Sequence, residues 1–312
     1  MELIRGLHNI RKHHQGVAAT IGNFDGVHLG HQHLVESVST TAAQLGIPAC
    51  VISFEPLPAE YFVAAEKRPA RLMNLREKYR ALKSLSIQQL LLLKFNKQLA
   101  GTAASDFINQ VLINGLNVQH LLVGDDFKFG RNREGDFSLL QQAAGKYSFT
   151  LQQADTHYHD GDRVSSTRIR RLLESGKLIN AATLLGRHYA LEGLVEMGAQ
   201  LGRTIGFPTA NIALATANPP LRGVFAVSVA IGNALERVNG IANIGARPTV
   251  NGARVTFEVH LLDFTGDLYG QRLRAEFLHK IRDEKKFASL DDLKRAISDD
   301  EATARNWFHA NT

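Results

Sequence analysis

A chain of 312 residues exceeds one typical domain and has room for two, each with a core of its own. With 44% hydrophobic and 21% charged residues it has the make-up of a globular protein, which argues against extended disorder. The 36 basic against 30 acidic side chains give a formal charge of +6 and favour anionic partners. No run of consecutive basic residues marks a nucleic-acid arm, since Arg168 to Arg171 is interrupted by Ile169, and no nucleic-acid partner is expected.

In chain order, Met1 to Gln15 is polar and histidine-rich, without a signal-peptide core. No apolar stretch approaches the roughly 20 residues of a membrane span, so a soluble cytoplasmic protein without a membrane partner is expected. Short apolar runs then alternate with helical patterns: Val17 to Ile21, Leu29 to Leu45, Ala49 to Phe54, Leu90 to Leu93, Phe107 to Leu116 and His120 to Val123. Strand and helix in alternation predict an α/β domain with a parallel sheet, which binds ligands at the carboxyl ends of its strands. The single cysteine, Cys50, falls inside one apolar run and reads as a buried, inert thiol, which excludes disulfides and zinc-thiolate sites.

Two further helices, Ser166 to Ser175 and Leu178 to Leu185, end near Gly176 and Gly186, and the domain boundary is placed there, giving domains of 1–185 and 186–312. Beyond it, closely spaced glycines separate β-rich runs such as Val224 to Ile231 and Val255 to Leu262, the pattern of a small antiparallel barrel. Leu290, Leu293, Ile297, Ala304 and Phe308 recur at near-helical spacing and predict a terminal helix.

Three segments of the first half carry chemistry. Gly22-Asn23-Phe24-Asp25-Gly26-Val27-His28-Leu29-Gly30-His31 follows a strand and opens a helix, the place where backbone amides meet phosphate. His28 and His31, three apart on the first turn of the expected helix, direct their imidazoles to one side, with Gly30 leaving out a side chain between them. Such donors stabilise charge that builds on an α-phosphate during nucleotidyl transfer, with no nucleophilic side chain required. Gly124 to Gly130 follows another strand, and Ser165-Ser166-Thr167-Arg168-Ile169-Arg170 sits at a helix start, where it reads either as hydroxyls, amides and arginine for phosphate or as a serine N-cap with solvated arginines. In the second half, Gly198 to Gly206 leads into Phe207-Pro208-Thr209-Ala210-Asn211. The alternation of Val255 to Leu261 puts Thr256, Glu258 and His260 on one strand face. Thr209 and Asn211 share a face and read either as neutral oxygens for magnesium or as part of an ordinary glycine-rich turn before a strand, while Glu258 reads either as a general base or as an ordinary strand glutamate.

The decapeptide ending in His31, the Gly124 to Gly130 loop and the Ser165 to Arg170 element resemble the adenylyltransferase half of bacterial bifunctional riboflavin kinase/FAD synthetases. Gly206 to Asn211, Asn243 to Thr249 and Glu258 to Asp263 are similar to the riboflavin kinase half. The resemblance implies a Rossmann-like nucleotidyltransferase domain followed by a riboflavin kinase barrel, with ATP as co-substrate, Mg2+, and riboflavin, FMN and FAD as substrates and products. It implies that Gly22, Asn23, Phe24, Asp25 and Gly30 bind ATP phosphates and that His28 and His31 stabilise the transition state. It likewise implies that Ser166, Thr167 and Arg170 grip the triphosphate and that Asp126 contacts flavin. In the kinase half it assigns Gly202, Gly206, Pro208, Thr209 and Asn211 to Mg-ATP, Glu258 to activation of the riboflavin 5′-hydroxyl, and Arg282 and Glu284 to the flavin. Phe225 stands where the family pattern has tyrosine, and Ala246 where it more often has threonine. The partners expected are small molecules alone, with the chain a monomer or a weak homo-oligomer. A chain with one active half and a flavin- or nucleic-acid-binding regulator are the other readings the sequence admits.

Overall fold

The computed structural model describes every residue except 65, 66, 198–205, 215–217, 233, 235, 250, 251 and 312. By internal packing the chain forms two compact units, residues 1–69 with 75–166, and residues 70–74 with 167–312.

The first unit is built on six parallel strands, β1 (Glu2–Arg5), β2 (Ala18–Ile21), β3 (Ala49–Glu55), β4 (Gln89–Lys94), β5 (His120–Gly124) and β6 (Thr150–Ala154), in the order β1-β4-β3-β2-β5-β6. A parallel sheet covered on both faces needs continuous apolar strands. The chain supplies them: β2 is buried throughout, and Leu90 to Leu93 fill the centre of β4. The expected α/β domain with a parallel sheet is therefore present. From β2 the chain winds outward through β3 and β4, then returns to place β5 on β2's other side. This reversal brings the loops leaving β2 and β5 side by side at the carboxyl edge, the crevice where such sheets take ligands.

Helices α1 (Leu29–Leu45), α2 (Pro58–Phe62), α3 (Leu75–Lys83), α4 (Lys97–Ala100), α5 (Ala104–Phe107, continued by π-helical turns to Ile113) and α6 (Phe137–Tyr147) connect the strands. Cys50 lies in the core with Ile21, Ile52, Leu91 and Val123. Burial pushes its thiol up to about 12, so it stays protonated and unreactive. A short hairpin, β7 (Tyr158–His159) and β8 (Asp162–Arg163), turns at Asp160-Gly161 with φ of 53° and 78°, the left-handed pair that a two-residue hairpin turn demands.

The second unit holds α7 (Ser166–Glu174, from Thr167), α8 (Leu178–Leu185) and six strands: β9 (Ala190–Glu196), β10 (Ala210–Leu214), β11 (Gly223–Ile231), β12 (Arg237–Thr249), β13 (Gly252–Leu261) and β14 (Arg272–Arg282). The strands close in the order β10-β13-β12-β11-β14-β9, every pair antiparallel, which is the barrel expected from the glycine spacing. Alternation along β13 buries Phe257 and Val259 and leaves Thr256, Glu258 and His260 partly open. The terminal helix α9 (Leu290–Asn311) lays Ala304 and Phe308 against Val224, Ala226 and Ile241 of the barrel wall.

Packing thus groups α7 and α8 with the barrel, whereas the texture of the sequence changes only after α8. The reason is local: Gly176, between those helices, lies so close to Lys280 of β14 that a Cβ there would meet the lysine's Cδ at 2.5 Å.

Candidate active sites

The loop from β2 into α1 is a strained, buried turn. Phe24 and Val27 adopt left-handed φ of 48° and 39°, and Gly26 adopts 87°. Gly22 N–H continues the β2–β3 ladder by donating to Ile52 O at 3.0 Å. Phe24 and Asp25 are buried, and the Asp25 carbonyl accepts from Ser166 Oγ at 2.8 Å, so Ser166 touches the β2 loop directly. Within the second unit, Arg170 of the same element donates through Nε to Ala70 O at 2.5 Å.

His28 is not on the helix's first turn but is its N-cap: its Nδ1 accepts the His31 N–H at 3.3 Å. A histidine that accepts at Nδ1 carries its proton on Nε2 when neutral, which leaves Nε2–H as the donor. The two rings stack with centroids 3.7 Å apart at 16°, so the pair expected to share one side does so. A Cβ at Gly30 would come 3.4 Å from His28 Cε1 and 3.6 Å from His157 Cβ, ordinary contacts, so the glycine packs against His28 and His157 rather than separating the two rings. His31 Nδ1 is enclosed and makes no hydrogen bond among the described residues, the kind of orphaned polar atom that functional sites retain. Burial, with the neighbouring His28, Lys78 and Arg163, holds the His31 imidazole well below its ordinary value, so it is neutral at pH 7.

Three features escaped the sequence reading. Lys78 of α3 is buried, its ammonium donating to Asn23 O at 2.7 Å. Arg163, carried by the hairpin, pairs with Asp126 at 3.0 Å and Asp125 at 3.2 Å, which raises its guanidinium further. Asp126 is thus ion-paired at the β5 loop. Tyr61 and Phe62 of α2 and Phe95, just after β4, form an aromatic cluster, centroids 5.1 to 5.6 Å apart, and Phe62 is 67% exposed. Large exposed rings at the ligand edge of a parallel sheet make a stacking platform. The signal in sequence was Tyr61-Phe62 itself, in a segment too short to show periodicity.

In the barrel, Asn211 lies opposite Glu258, and Glu258 opposite Asn243, so the three stand side by side across β10, β13 and β12. His260 Nδ1 donates to Pro208 O at 2.7 Å and ties the Pro208-Thr209 segment to β13. Gly206 sits at φ 91°, a conformation only glycine adopts freely, while Gly202 lies outside the described residues. Oxygen donors at Thr209 and Asn211 beside a carboxylate fit a magnesium ion, which prefers oxygen ligands. Glu284 presses its carboxylate against Gly245, where a Cβ would strike it. The Arg282 guanidinium is bidentate to buried Asp300 of α9, with both bonds at 2.8 Å, and is thereby braced. Phe225 is fully buried, edge-on to Phe277 at 5.3 Å, where a tyrosine hydroxyl would need a buried partner.

One cluster elsewhere, Glu2, His13 and His14, has metal-ligating composition. His14 Nδ1 accepts the Arg11 N–H at 2.9 Å, so the neutral ring keeps its proton on Nε2, facing Glu2 at 2.8 Å, and has no lone pair there for a metal. Among the described residues no helix is long and apolar enough to cross a membrane.

A family model described as FAD synthetase matches residues 10–168, and one described as riboflavin kinase matches residues 185–308. The bifunctional riboflavin kinase/FMN adenylyltransferase of Escherichia coli K12 is 47% identical over 309 residues, covering 99% of this chain and 98% of the relative. That of Haemophilus influenzae is 46% identical over 310 residues, covering 99% and 100%. A solved Streptococcus pneumoniae structure, described as a macrolide-efflux protein, matches with a TM-score of 0.84 at 29% identity, covering 98% of this chain and 100% of that one. With both models matched in succession and relatives of nearly half identity spanning almost its whole length, this chain belongs to the bifunctional riboflavin kinase/FMN adenylyltransferase family.

Proposed function

We propose that this protein makes FAD from riboflavin in two ATP-dependent steps, phosphorylation in the barrel and adenylyl transfer at the parallel sheet, with the functional division at residues 185/186. The observation that carries the reading is the His28–His31 pair, stacked at the helix start where the loops of β2 and β5 meet.

In the first step the riboflavin 5′-hydroxyl attacks the γ-phosphorus of ATP, its proton passes to Glu258, and ADP leaves. Asn211, opposite Glu258, and Thr209 hold the nucleotide with magnesium, which when bound neutralises phosphate charge. Gly206 and Pro208 shape that segment, and Gly202 has the same assignment by resemblance. Arg282 and Glu284 serve the flavin, with Arg282 held steady by Asp300.

In the second step a phosphate oxygen of FMN attacks the α-phosphorus of a second ATP, and pyrophosphate departs. The Gly22–Asp25 backbone binds phosphate, and the imidazoles of His28 and His31 donate to oxygens on which charge builds. Ser166, bonded to Asp25, belongs to the triphosphate grip, and Thr167 and Arg170 share that assignment by resemblance. Asp126 takes the flavin side, and the isoalloxazine ring stacks on Tyr61, Phe62 and Phe95. The protein acts in the cytoplasm on small molecules, without nucleic acid, as a monomer or weak homo-oligomer.

The test is product identity. Purified protein given riboflavin, ATP and magnesium is expected to form FMN and then FAD; accumulation of FMN with no FAD would overturn the assignment at the parallel sheet.

A further inference from the structure

A lysine with 2% of its surface exposed is an exception among protein side chains, since burying an ammonium carries a large desolvation cost. Lys78 sits on α3, behind the loop that leaves β2. Its Nζ donates to Asn23 O at 2.7 Å and to Ser53 Oγ at 3.2 Å, and Ser53 Oγ donates to the same carbonyl at 3.3 Å. Two side chains from two different elements therefore hold one carbonyl.

The consequence follows from peptide geometry. In a trans peptide the N–H lies opposite the C=O, so a carbonyl anchored on the Lys78 side turns the Phe24 N–H to the other face of the turn. Phe24 adopts a left-handed φ of 48°, which a non-glycine residue keeps only where its surroundings over-determine it. Lys78 and Ser53 supply that constraint on one side, and the bond from Ser166 Oγ to Asp25 O, 2.8 Å, supplies it on the other.

We propose that Lys78, braced by Ser53, is the positioning residue of the adenylyl-transfer site: it anchors the Asn23 carbonyl so that the Phe24 amide is presented to the ATP triphosphate. It acts through the turn rather than on the reacting atoms. The inference rests on the assignment of the turn to ATP phosphates made above.

The experiment uses the full chain, supplied either with FMN and ATP, read as FAD, or with riboflavin and ATP, read as FMN. Lys78→Met keeps length and removes charge and donor. It is expected to raise KM for ATP in FAD formation about 10- to 100-fold, the weight of a charged hydrogen bond, with riboflavin phosphorylation unchanged. Lys78→Arg, which keeps charge and donors, is expected to recover part of the loss. A wild-type KM for ATP in Lys78→Met, whatever its thermal stability, overturns the proposal, as does a Lys78→Arg chain no better than Lys78→Met. Where Lys78→Met loses the folded sheet, Ser53→Ala carries the test: about a threefold rise in KM for ATP supports the proposal and an unchanged KM rejects it. If the site assignment itself is wrong, His31→Ala leaves FAD formation intact; if only the present proposal is wrong, the His31→Ala defect remains while Lys78→Met is unimpaired.

Discussion

His28 Nδ1 accepts the backbone N–H of His31 while the two imidazoles stack face to face. One side chain thus caps the start of a helix and, in the proposed function, stabilises a transition state, and the two roles separate by mutation. His28→Ala removes both: the lost cap costs about 1 kcal/mol, and FAD formation falls about 100- to 1,000-fold. His28→Asn restores a capping acceptor but not an imidazole, so melting temperature recovers and adenylyl transfer does not. FMN formation is untouched in both. Stability and activity recovering together in His28→Asn would show that the ring is only a cap.

The neutral state of His31 has a signed consequence for stability. In the unfolded chain an imidazole takes up its proton near 6.5, whereas in the folded chain burial and neighbouring cations delay protonation to a value well below that. The unfolded state therefore binds more protons in this window, and stability that is fully present above about 6.5 is lost as pH falls below it. Replacing His31 with glutamine removes this contribution. Urea midpoints at pH 7.5 and 5.5 are expected to differ more for the native protein than for His31→Gln; equal differences would place the folded imidazole at its ordinary value.

What the sequence disclosed follows from how much of each element is buried. The central strands β2, β3, β4 and β5 were legible because burial on both faces forces uninterrupted apolar runs such as Leu90 to Leu93. The edge strands β1 and β6 were not, since each pairs on one side only and buries little, leaving no periodic signal. His28 and His31 could be found because their spacing within one turn is local. Lys78 could not: Leu75–Lys83 also carries Arg76, Glu77, Arg80 and Lys83, and only the folded chain sets one of its lysines beneath Asn23 and Ser53. The aromatic cluster was missed for the same reason, as Phe95 reaches Tyr61 and Phe62 only through the pairing of β3 with β4.

Glu258 stands between Asn211 and Asn243 on a barrel whose core residues lie on the opposite face of its strand, so an isosteric change there should not disturb folding. Glu258→Gln is expected to lower riboflavin phosphorylation about 100- to 10,000-fold, the range for loss of a general base, with FAD formation from supplied FMN unchanged. A variant that still phosphorylates riboflavin at the native rate would return Glu258 to the status of an ordinary strand glutamate.

Phe62 offers the reverse case, a large apolar residue whose removal should cost function and little stability. Its ring is 67% exposed, so truncation to alanine leaves no cavity. In the cluster with Tyr61 and Phe95 it supplies an aromatic face to the carboxyl edge of the sheet, and a stacking contact is worth about 1 kcal/mol. Phe62→Ala is therefore expected to raise KM for FMN in adenylyl transfer about fivefold, with KM for ATP and riboflavin phosphorylation unchanged. Ile179→Ala, at another exposed apolar position, is the control and should alter neither reaction. If Phe62→Ala left KM for FMN at its native value, the aromatic cluster would be a surface patch without a role in flavin binding, and the ring's partner in adenylyl transfer would have to be sought elsewhere on the sheet edge.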